Sequence, residues 1–417
     1  MKEASLESQR LARNTLGVAQ HDAEPQIDMK RMRAYRLGRV QKMLQERDLA
    51  GILLYDPINV RYANGSSDMQ VWILHNQHRY CWVPAQGLCT LFEYGRALHL
   101  ARHLETIETI RPATVWTFFS AGDRIAERVA LWAGELDEVI RDSGAGANKR
   151  IAADHLDVAG ARELEALGWE IHNGQEVMEL ARAIKSDDEI ACMVASISVC
   201  EAGMAKMQQE MRAGITENQL WSHLHQVNIA MGGEWIETRL LASGGRTNPW
   251  FRESSDRVIR AGEIVAFDTD LIGPFGYCAD ISRSWFCPPG RPSDEQKRLY
   301  TYAYDQIQTN IELFWPGQSF REIAEKSWRV PNEFVARRYG SMAHGVGLAD
   351  EWPHVQFSDN ADRSTGGMLE TGMTVCIESY IGAEDGIEGI KLEEQILITE
   401  GAPQRLSTYP YETILLN

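Results

Sequence analysis

An acidic stretch in the middle of the chain, Ile264–Asp280, constrains the fold more than any other feature of the sequence. It begins as an apolar strand that ends in Asp268 and Asp270, and because side chains alternate along a strand, both aspartates are predicted to lie on one face. Glycine and proline within 273–276 predict a turn, after which the returning chain brings Asp280 alongside. Three carboxylates on one face repel each other strongly, and a divalent cation neutralises them best. Shared protons, a buried lysine or arginine, and simple solvation of turn acids remain alternatives on this stretch alone.

Composition and charge narrow the functional class of the chain. With 417 residues, 44% of them hydrophobic and 24% charged, the chain is long enough for two or three soluble globular domains. The formal net charge of -17 argues against nucleic acid and anionic membranes as partners. The seven cysteines are odd in number and show no Cys-x-x-Cys spacing, which favours reduced thiols. The first residues lack the apolar core of a signal peptide, so we expect a cytoplasmic protein with no nucleic-acid or membrane partner.

Three segments of different character divide the chain. Residues 1–28 are polar and are predicted to form an N-terminal arm. Residues 29–183 alternate short apolar strands with amphipathic helices, which predicts an α/β domain. Residues 184–417 begin with a capping box at Ser186 and Glu189 and a long amphipathic helix, and later turn to strands. Helices beside segregated antiparallel hairpins predict an α+β C-terminal domain.

Three further residues complete a candidate metal site with the aspartates. His344 lies in the glycine-rich segment Ala343–Gly347, and Glu378 lies in an otherwise apolar run, an unfavourable place for a lone carboxylate. Glu393 lies on the next predicted strand, which a hairpin-like connection sets against the strand of Glu378. The five carboxylates bring five negative charges, and two divalent cations bring four positive charges. Oxygen ligands with one imidazole suit Mn, Fe, Co or Zn in a dinuclear site, although any single acid is more often a surface acid.

Four short segments of the chain resemble the motifs of the pita-bread metallopeptidase superfamily, which includes methionine aminopeptidases, Xaa-Pro peptidases and creatinase. They are Gly276–Arg283, His344–Leu348, Ile377–Glu378 and Gly389–Glu394. The resemblance implies a pita-bread (creatinase/aminopeptidase-like) C-terminal domain, a prolidase- or creatinase-like N-terminal domain, and a homodimer whose partner's N-terminal domain covers the active site. It also implies two divalent metal ions, with the ligands Asp268, Asp270, Asp280, His344, Glu378 and Glu393.

The chain departs from the peptidases of this superfamily at three places. Their first two aspartate ligands are eleven residues apart, and counting back from Asp280 that position is Thr269, with aspartates on both sides. Where they carry a substrate-contacting histidine before the first aspartate, this chain reads Asn248–Phe251. Where they carry a second histidine after the first, it has Asp350. Two histidines that handle peptides are thus absent while the metal set is retained, which argues against both peptide hydrolysis and creatinase-like chemistry.

The same pattern resembles one branch in particular, the pita-bread-type dimethylsulfoniopropionate lyases of marine bacteria, which bind iron. The resemblance implies that Asp350 is the general base of a β-elimination that yields dimethyl sulfide and acrylate, with the metals binding the substrate carboxylate. Iron is the metal implied, while ligand type alone also allows Mn, Co or Zn. An Xaa-Pro-type dinuclear metallopeptidase and a non-catalytic pita-bread module are the alternative functions.

A sulfonium group offers no hydrogen-bond donor, so aromatic faces are its natural partners. Four aromatic residues flank the site in sequence, and Trp72 or Trp82 are candidates from a partner subunit. Packing is the ordinary role of any one aromatic residue, but the replacement of histidine by Trp-Phe beside the site favours a sulfonium-binding role there. The candidates in this chain are Trp250, Phe251, Tyr339 and Trp352.

Overall fold

A computed structural model of the chain describes residues 27–360 and 366–416. The predicted N-terminal arm, residues 1–28, lies almost entirely outside the described residues. The chain divides into two compact units, one formed by Asp28–Arg182 and the other by the chain from Ala183 onward.

The first unit is a mixed six-stranded sheet with helices. Its helices are α1 (Met29–Glu46), α2 (Pro57–Asn64), α3 (Gln70–His75), α4 (Phe118–Ala121), α5 (Ile125–Asp142), α6 (Val158–Ala166) and α7 (Gln175–Arg182). Its strands are β1 (Gly51–Leu54), β2 (Tyr80–Pro84), β3 (Cys89–Glu93), β4 (Ile107–Pro112), β5 (Arg150–Ala153) and β6 (Glu170–Asn173). The strand order is β4-β3-β2-β1-β5-β6, with β1 antiparallel to β2 and parallel to β5. This is the α/β domain that the sequence predicts.

The second unit combines helices with short antiparallel sheets. Its helices are α8 (Asp187–Glu210), α9 (Glu217–Ala230), α10 (Asp294–Ile311), α11 (Phe320–Lys326), α12 (Asn332–Val335) and α13 (Thr413–Leu416). Its strands are β7 (Trp235–Ile236), β8 (Leu240–Ser243), β9 (Ile264–Asp268), β10 (Asp270–Ile272), β11 (Cys278–Asp280), β12 (Arg283–Phe286), β13 (Ala343–Val346), β14 (Asp350–Val355), β15 (Thr374–Ile381), β16 (Ile390–Leu397) and β17 (Gln404–Arg405). The sheet orders are β11-β10-β7, β12-β9-β8 and β14-β13-β15-β16-β17.

Helix α8 begins at the capping box that the sequence predicts. The side chain of Ser186 accepts from the backbone N–H of Glu189, and the carboxylate of Glu189 accepts from the backbone N–H of Ser186. These reciprocal bonds satisfy N–H groups that the first turn leaves without helical partners. Helix α8 is long and apolar enough to cross a membrane, and half of its apolar window is buried in the fold, so this helix by itself is weak evidence for a membrane span.

The acidic stretch is not one continuous strand, and this part of the sequence prediction is wrong. Strand β9 ends at Asp268 and pairs with β8 and β12, whereas β10 begins at Asp270 and pairs with β7 and β11. The chain changes sheets at Thr269, so the two aspartates belong to different sheets. The returning strand does bring Asp280 alongside, because Asp270 and Asp280 are directly opposite each other in the ladder.

The predicted pairing of the last two long strands is confirmed. β15 and β16 are antiparallel over eight residue pairs, and Glu378 lies directly opposite Glu393. The neighbouring strand β13 pairs His344 with Cys376, two residues before Glu378 and hence on the same face of β15. The sheet therefore sets an imidazole and two carboxylates side by side.

Candidate metal centre

Two overlapping groups of potential ligands lie in the second unit. Asp280, His344, Glu378 and Glu393 each offer a ligand atom within 4.8 Å of the others. The three acids are buried, and the side chain of His344 is 12% exposed. A second group, with ligand atoms equally close, joins Asp280 to Asp270 and to Asp350. Because Asp280 belongs to both groups, its carboxylate would be shared if each group held a cation.

The imidazole of His344 is surrounded by carboxylates. Its Nε2 atom lies 3.2 Å from Oε1 of Glu378, 3.4 Å from Oδ2 of Asp280 and 3.8 Å from Oε1 of Glu393. Its Nδ1 atom lies 3.6 Å from Oδ1 of Asp350. Burial lowers the pKa of His344, but Asp350, Glu378 and Glu393 outweigh it, and the net shift is upward.

Glycine is required next to this histidine. A Cβ atom on Gly345 would lie 2.5 Å from the backbone oxygen of Trp352 on the adjacent strand β14. The close approach coincides with a register shift between His344 and Gly345 in the β13–β14 ladder. The glycine-rich segment around His344 thus lets β14, which begins at Asp350, approach closely.

Burial makes three acids of the centre difficult to ionise without a cation. Desolvation raises the pKa of Asp270, Asp280 and Glu393, and neighbouring carboxylates raise it further: first Asp350 for Asp270, Glu393 for Asp280, and Glu378 for Glu393. A bound divalent cation reverses this effect because it favours the ionised form.

The residues present fit a divalent metal. Oε1 of Glu393 is completely buried and has no hydrogen-bond partner among the described residues. A buried carboxylate oxygen without a donor is unfavourable unless a cation binds it. The donor set of carboxylates with one imidazole is typical of Mn, Fe, Co or Zn, which supports a dinuclear divalent metal site without identifying the metal.

Asp268 lies outside both groups. Its Oδ1 atom accepts a hydrogen bond from Oγ of Ser282, and its Oδ2 atom lies 3.2 Å from Nζ of Lys391. Burial raises its pKa to about 6, with the charge of Lys391 acting in the opposite direction. Its role as a sixth metal ligand stays a prediction.

Sequence reasoning missed Lys391 and Ser282 as members of the site. In the sequence Lys391 belongs to the Gly389–Glu394 motif, and its position two residues before Glu393 on a buried strand places both side chains on one face. A lysine inside a predicted apolar strand, next to a predicted ligand, was the signal that could have found it.

Asp350 is the most accessible acid of the centre. Its side chain is 61% exposed, while it lies at the edge of the group formed with Asp270 and Asp280. This places a solvent-accessible carboxylate beside the buried ligands. The position suits a base that meets a substrate, and it is also close enough for metal ligation.

The four aromatic candidates occupy different environments. Tyr339 and Phe251 lie together, with ring centroids 5.3 Å apart, and Phe251 is 60% exposed. Trp250 is buried and stacks on Tyr380 at 6.0 Å. Trp352 packs against a core phenylalanine, Phe320, at 5.4 Å. Tyr339 and Phe251 are therefore the pair best placed to receive a cationic group, whereas Trp250 and Trp352 are held by packing.

The two aromatic candidates for a partner subunit also differ. Trp82 is completely buried in its own sheet and donates from Nε1 to Oγ of Ser143, so its proposed role in a partner's site is wrong. Trp72 is 38% exposed and lies near Tyr94 and His78, at ring-centroid distances of 6.2 Å and 5.0 Å.

Comparison with known proteins agrees with this geometry. Residues 191–400 match the metallopeptidase family M24, and residues 36–184 match the creatinase/prolidase N-terminal domain. The chain is 40% identical to the dimethylsulfoniopropionate lyase DddP of Roseovarius nubinhibens over 395 residues, which are 93% of this chain and 88% of that protein. It is 38% identical to the dimethylsulfoniopropionate lyase DddP of Roseobacter denitrificans, with the same coverage of both chains.

Solved structures with the same fold include peptidases. An Xaa-Pro dipeptidase from Bacillus anthracis superimposes with a TM-score of 0.73 at 21% identity, covering 91% of this chain and 98% of that chain. A prolidase from Pyrococcus horikoshii gives a TM-score of 0.71 at 21% identity, covering 90% and 99%. At this identity the likeness shows the fold, which is the pita-bread architecture of prolidases. The chain belongs to metallopeptidase family M24, close to the dimethylsulfoniopropionate lyases DddP.

Proposed function

We propose that this chain is a metal-dependent carbon–sulfur lyase that cleaves dimethylsulfoniopropionate to dimethyl sulfide and acrylate by β-elimination. The observation that carries the proposal is the accessible carboxylate of Asp350 beside Asp270 and Asp280, where the peptidases of the superfamily carry a histidine. The identity of 40% over 93% of the chain to a dimethylsulfoniopropionate lyase supports the same reaction.

The metal ligands define one end of the substrate site. Asp280, His344, Glu378 and Glu393 would hold one cation, and Asp270 and Asp280 a second, with Asp268 as a further predicted ligand. When bound, divalent cations supply a Lewis acid that neutralises the substrate carboxylate and stabilises the negative charge that develops beside it. The carboxylate end of the zwitterion therefore faces the buried acids.

Asp350 acts as the general base. It takes a proton from the carbon next to the substrate carboxylate, and the electron pair left on that carbon forms the carbon–carbon double bond. The bond from the β-carbon to sulfur breaks at the same time, and dimethyl sulfide leaves with the bonding electrons. A carboxylate suits this task because it is exposed enough to meet the substrate and close enough to the metal ligands to act on the adjacent carbon.

The sulfonium end of the substrate has no hydrogen-bond donor, so it cannot satisfy hydrogen-bond acceptors in its binding site. Phe251 and Tyr339 supply two neighbouring rings. Nζ of Lys391 already lies 4.6 Å from the ring centroid of Tyr339, so the largely exposed ring of Phe251 is the more open of the two. Aromatic faces attract a cation by about 0.5–2 kcal/mol. We assign the sulfonium group to this pair, with Trp250 and Trp352 as packing neighbours.

Three further properties belong to the same proposal. Iron is the metal proposed, because the relatives that the sequence resembles bind it, and the ligand set accepts it. A homodimer is proposed on the same resemblance. A cytoplasmic location is proposed because the seven cysteines are odd in number and all buried, as expected for core thiols in a reducing compartment.

Headspace detection of dimethyl sulfide above purified protein tests the proposal directly. Protein loaded with iron should release dimethyl sulfide from dimethylsulfoniopropionate, and Asp350→Asn should lower kcat by about a hundredfold or more. Asp305→Asn, an exposed acid on α10, is the matched control and should retain full activity. Metal-loaded protein that releases no gas above background would overturn the proposal.

An Xaa-Pro-type metallopeptidase is the second candidate function. The retained metal ligands and the prolidase-like fold favour it, while the missing histidines weigh against it. Hydrolysis of Xaa-Pro dipeptides by the same metal-loaded sample would establish it. Protein that contains no metal after purification and takes up none would instead indicate a non-catalytic module.

A further inference from the structure

A buried lysine lies inside the acidic cluster of the metal centre. Lys391 is completely buried, and its Nζ atom lies 2.5 Å from Oε2 of Glu378, 3.0 Å from Oε2 of Glu393 and 3.2 Å from Oδ2 of Asp268. A fourth contact of 2.7 Å joins it to Oγ of Ser282. The three N–H groups of the ammonium are thus donated to Glu378, Glu393 and Ser282.

In both Glu378 and Glu393, the two carboxylate oxygen atoms have different neighbours. In each carboxylate Oε2 contacts Lys391, while Oε1 faces Nε2 of His344, at 3.2 Å for Glu378 and 3.8 Å for Glu393. Oε1 of Glu393 is the buried acceptor without a described hydrogen-bond partner. The lysine therefore leaves one oxygen of each glutamate directed at the cluster where a cation would bind.

The charge of Lys391 also balances the candidate ligand set, which leaves aside Asp350, the proposed base, whose side chain is 61% exposed to solvent. The five candidate carboxylate ligands carry five negative charges when ionised, and two divalent cations carry four positive charges. The ammonium supplies the remaining positive charge within the same buried cluster. Uncompensated buried charge is costly, so a lysine that closes the balance stabilises the ionised, metal-binding form of the site.

We propose that Lys391 is a positioning residue of the metal centre, which holds Oε2 of Glu378 and Glu393 so that each presents Oε1 to the cation. The inference rests on the metal centre of the proposed function, and its test needs no substrate. Partners that orient metal ligands typically contribute about tenfold to a hundredfold to metal affinity. A lysine that only competes with the cation would have the opposite effect, and removing it would tighten metal binding.

Cobalt binding to the full chain, measured without substrate, separates these possibilities. Chelator-stripped protein is titrated with Co²⁺, and the visible absorption of the bound ion reports both occupancy and coordination geometry. Lys391→Met removes the charge and the donors at similar length, and we expect Co²⁺ affinity to fall by about tenfold to a hundredfold. Lys391→Arg keeps the charge and the donors in a different shape, so it should restore part of the affinity with an altered cobalt spectrum.

A control outside the metal centre shows what loss of a buried charge does by itself. Arg79→Met removes an ion pair with Glu93 in the first unit, where both side chains are 1% exposed. This variant should lower the unfolding temperature and leave Co²⁺ affinity unchanged. If Lys391→Met does not fold, Lys391→Gln, which keeps a donor without the charge, takes its place.

Two outcomes would overturn the proposal. Unchanged affinity and an unchanged cobalt spectrum in Lys391→Met would leave the lysine with a structural role alone, and tighter binding would make it a competing cation. Because no sulfonium compound is present, a negative dimethyl sulfide assay would overturn the proposed reaction without affecting this result.

Discussion

Strands β1 and β16 are both buried, yet they bury different kinds of side chain. β1 carries only glycine and aliphatic residues and is buried throughout. β16 is buried over all but its last residue, and it contains Lys391, Glu393 and Glu394. Burying an ion costs several kcal/mol unless it is well paired, so a strand that retains three ionisable groups in a core is not optimised for stability alone. Burial therefore identifies a core, whereas ionisable groups within that core identify the site.

The largest expected effect follows from neutralising one acid of β16. Glu393→Gln removes a ligand of the first metal group, so dimethyl sulfide release should fall at least about a hundredfold, with loss of bound metal. The pKa of Glu393 is raised by burial and by Glu378, so its ionised form is disfavoured in the metal-free fold. The unfolding temperature of the metal-free variant should therefore rise. Elemental analysis and thermal unfolding in chelator measure both, and full metal content with full activity would refute the ligand assignment.

A substitution in the apolar sheet of the first unit should lower stability and leave metal binding unchanged. Trp82, on β2 beside β1, is completely buried, and Trp82→Ala should lower the free energy of unfolding by about 3–5 kcal/mol. Cobalt affinity of the folded variant at low temperature should stay unchanged. Denaturant unfolding and a cobalt titration of the same sample test this contrast, which fails if metal affinity drops with stability.

The free energy of unfolding should depend on pH more strongly in the metal-free protein than in the metal-loaded protein. The pKa of Asp268 rises from 3.8 in its ordinary state to about 6 in the fold, mainly through burial. A carboxyl group with a raised pKa binds its proton more tightly when folded, so stability decreases as pH rises from about 4 to about 6. In chelator we expect a loss on the order of 1–3 kcal/mol over this range, with Asp270 and Asp280 acting in the same direction. Thermal unfolding at each pH measures it.

Metal-loaded protein is the control for this pH effect. Its stability should change less over the same range, because a cation favours the ionised carboxylates. In chelator, Asp268→Asn should make the free energy of unfolding decrease less steeply as pH rises. A metal-free protein that becomes more stable as pH rises through this range would contradict the assignment of these acids as the dominant titrating groups.

The smallest expected effect concerns the edge of the site rather than its core. Phe251→Ala removes an exposed ring next to Tyr339, and the lost cation–π attraction should raise KM for the sulfonium substrate about twofold to tenfold. Phe118→Ala, an exposed aromatic residue in the first unit, is the matched control and should leave KM unchanged. An unchanged KM in Phe251→Ala would place the sulfonium group elsewhere.

Local patterns in the sequence were sufficient for much of the fold and for part of the site. The alternation of strands and helices predicted the α/β and α+β domains, and the capping box at Ser186 predicted where α8 begins. The connection between β15 and β16 predicted that Glu378 and Glu393 face each other. Each of these predictions depends on residues that are close in sequence or joined by one short connection.

What could not be predicted depends on residues far apart in the chain. The change of sheet at Thr269 is set by which distant strands pair with each half of the acidic stretch. Lys391 meets Ser282, which is 109 residues away, and the buried state of Trp82 depends on the packing of its whole sheet. The alternation of residues predicts which side chains of a strand share a face. It does not predict which charged group from a distant strand contacts them.

The opposed glutamates of β15 and β16 have a consequence for how the sheet assembles. A shift of one residue in this ladder would place Leu392 or Glu394 opposite Glu378 and would turn the ligand face of β16 away from the cluster. A cation held by both strands at this one position would therefore stabilise a single alignment among those that the backbone hydrogen bonds allow. Metal uptake would then indicate that β15 and β16 have paired in the native register.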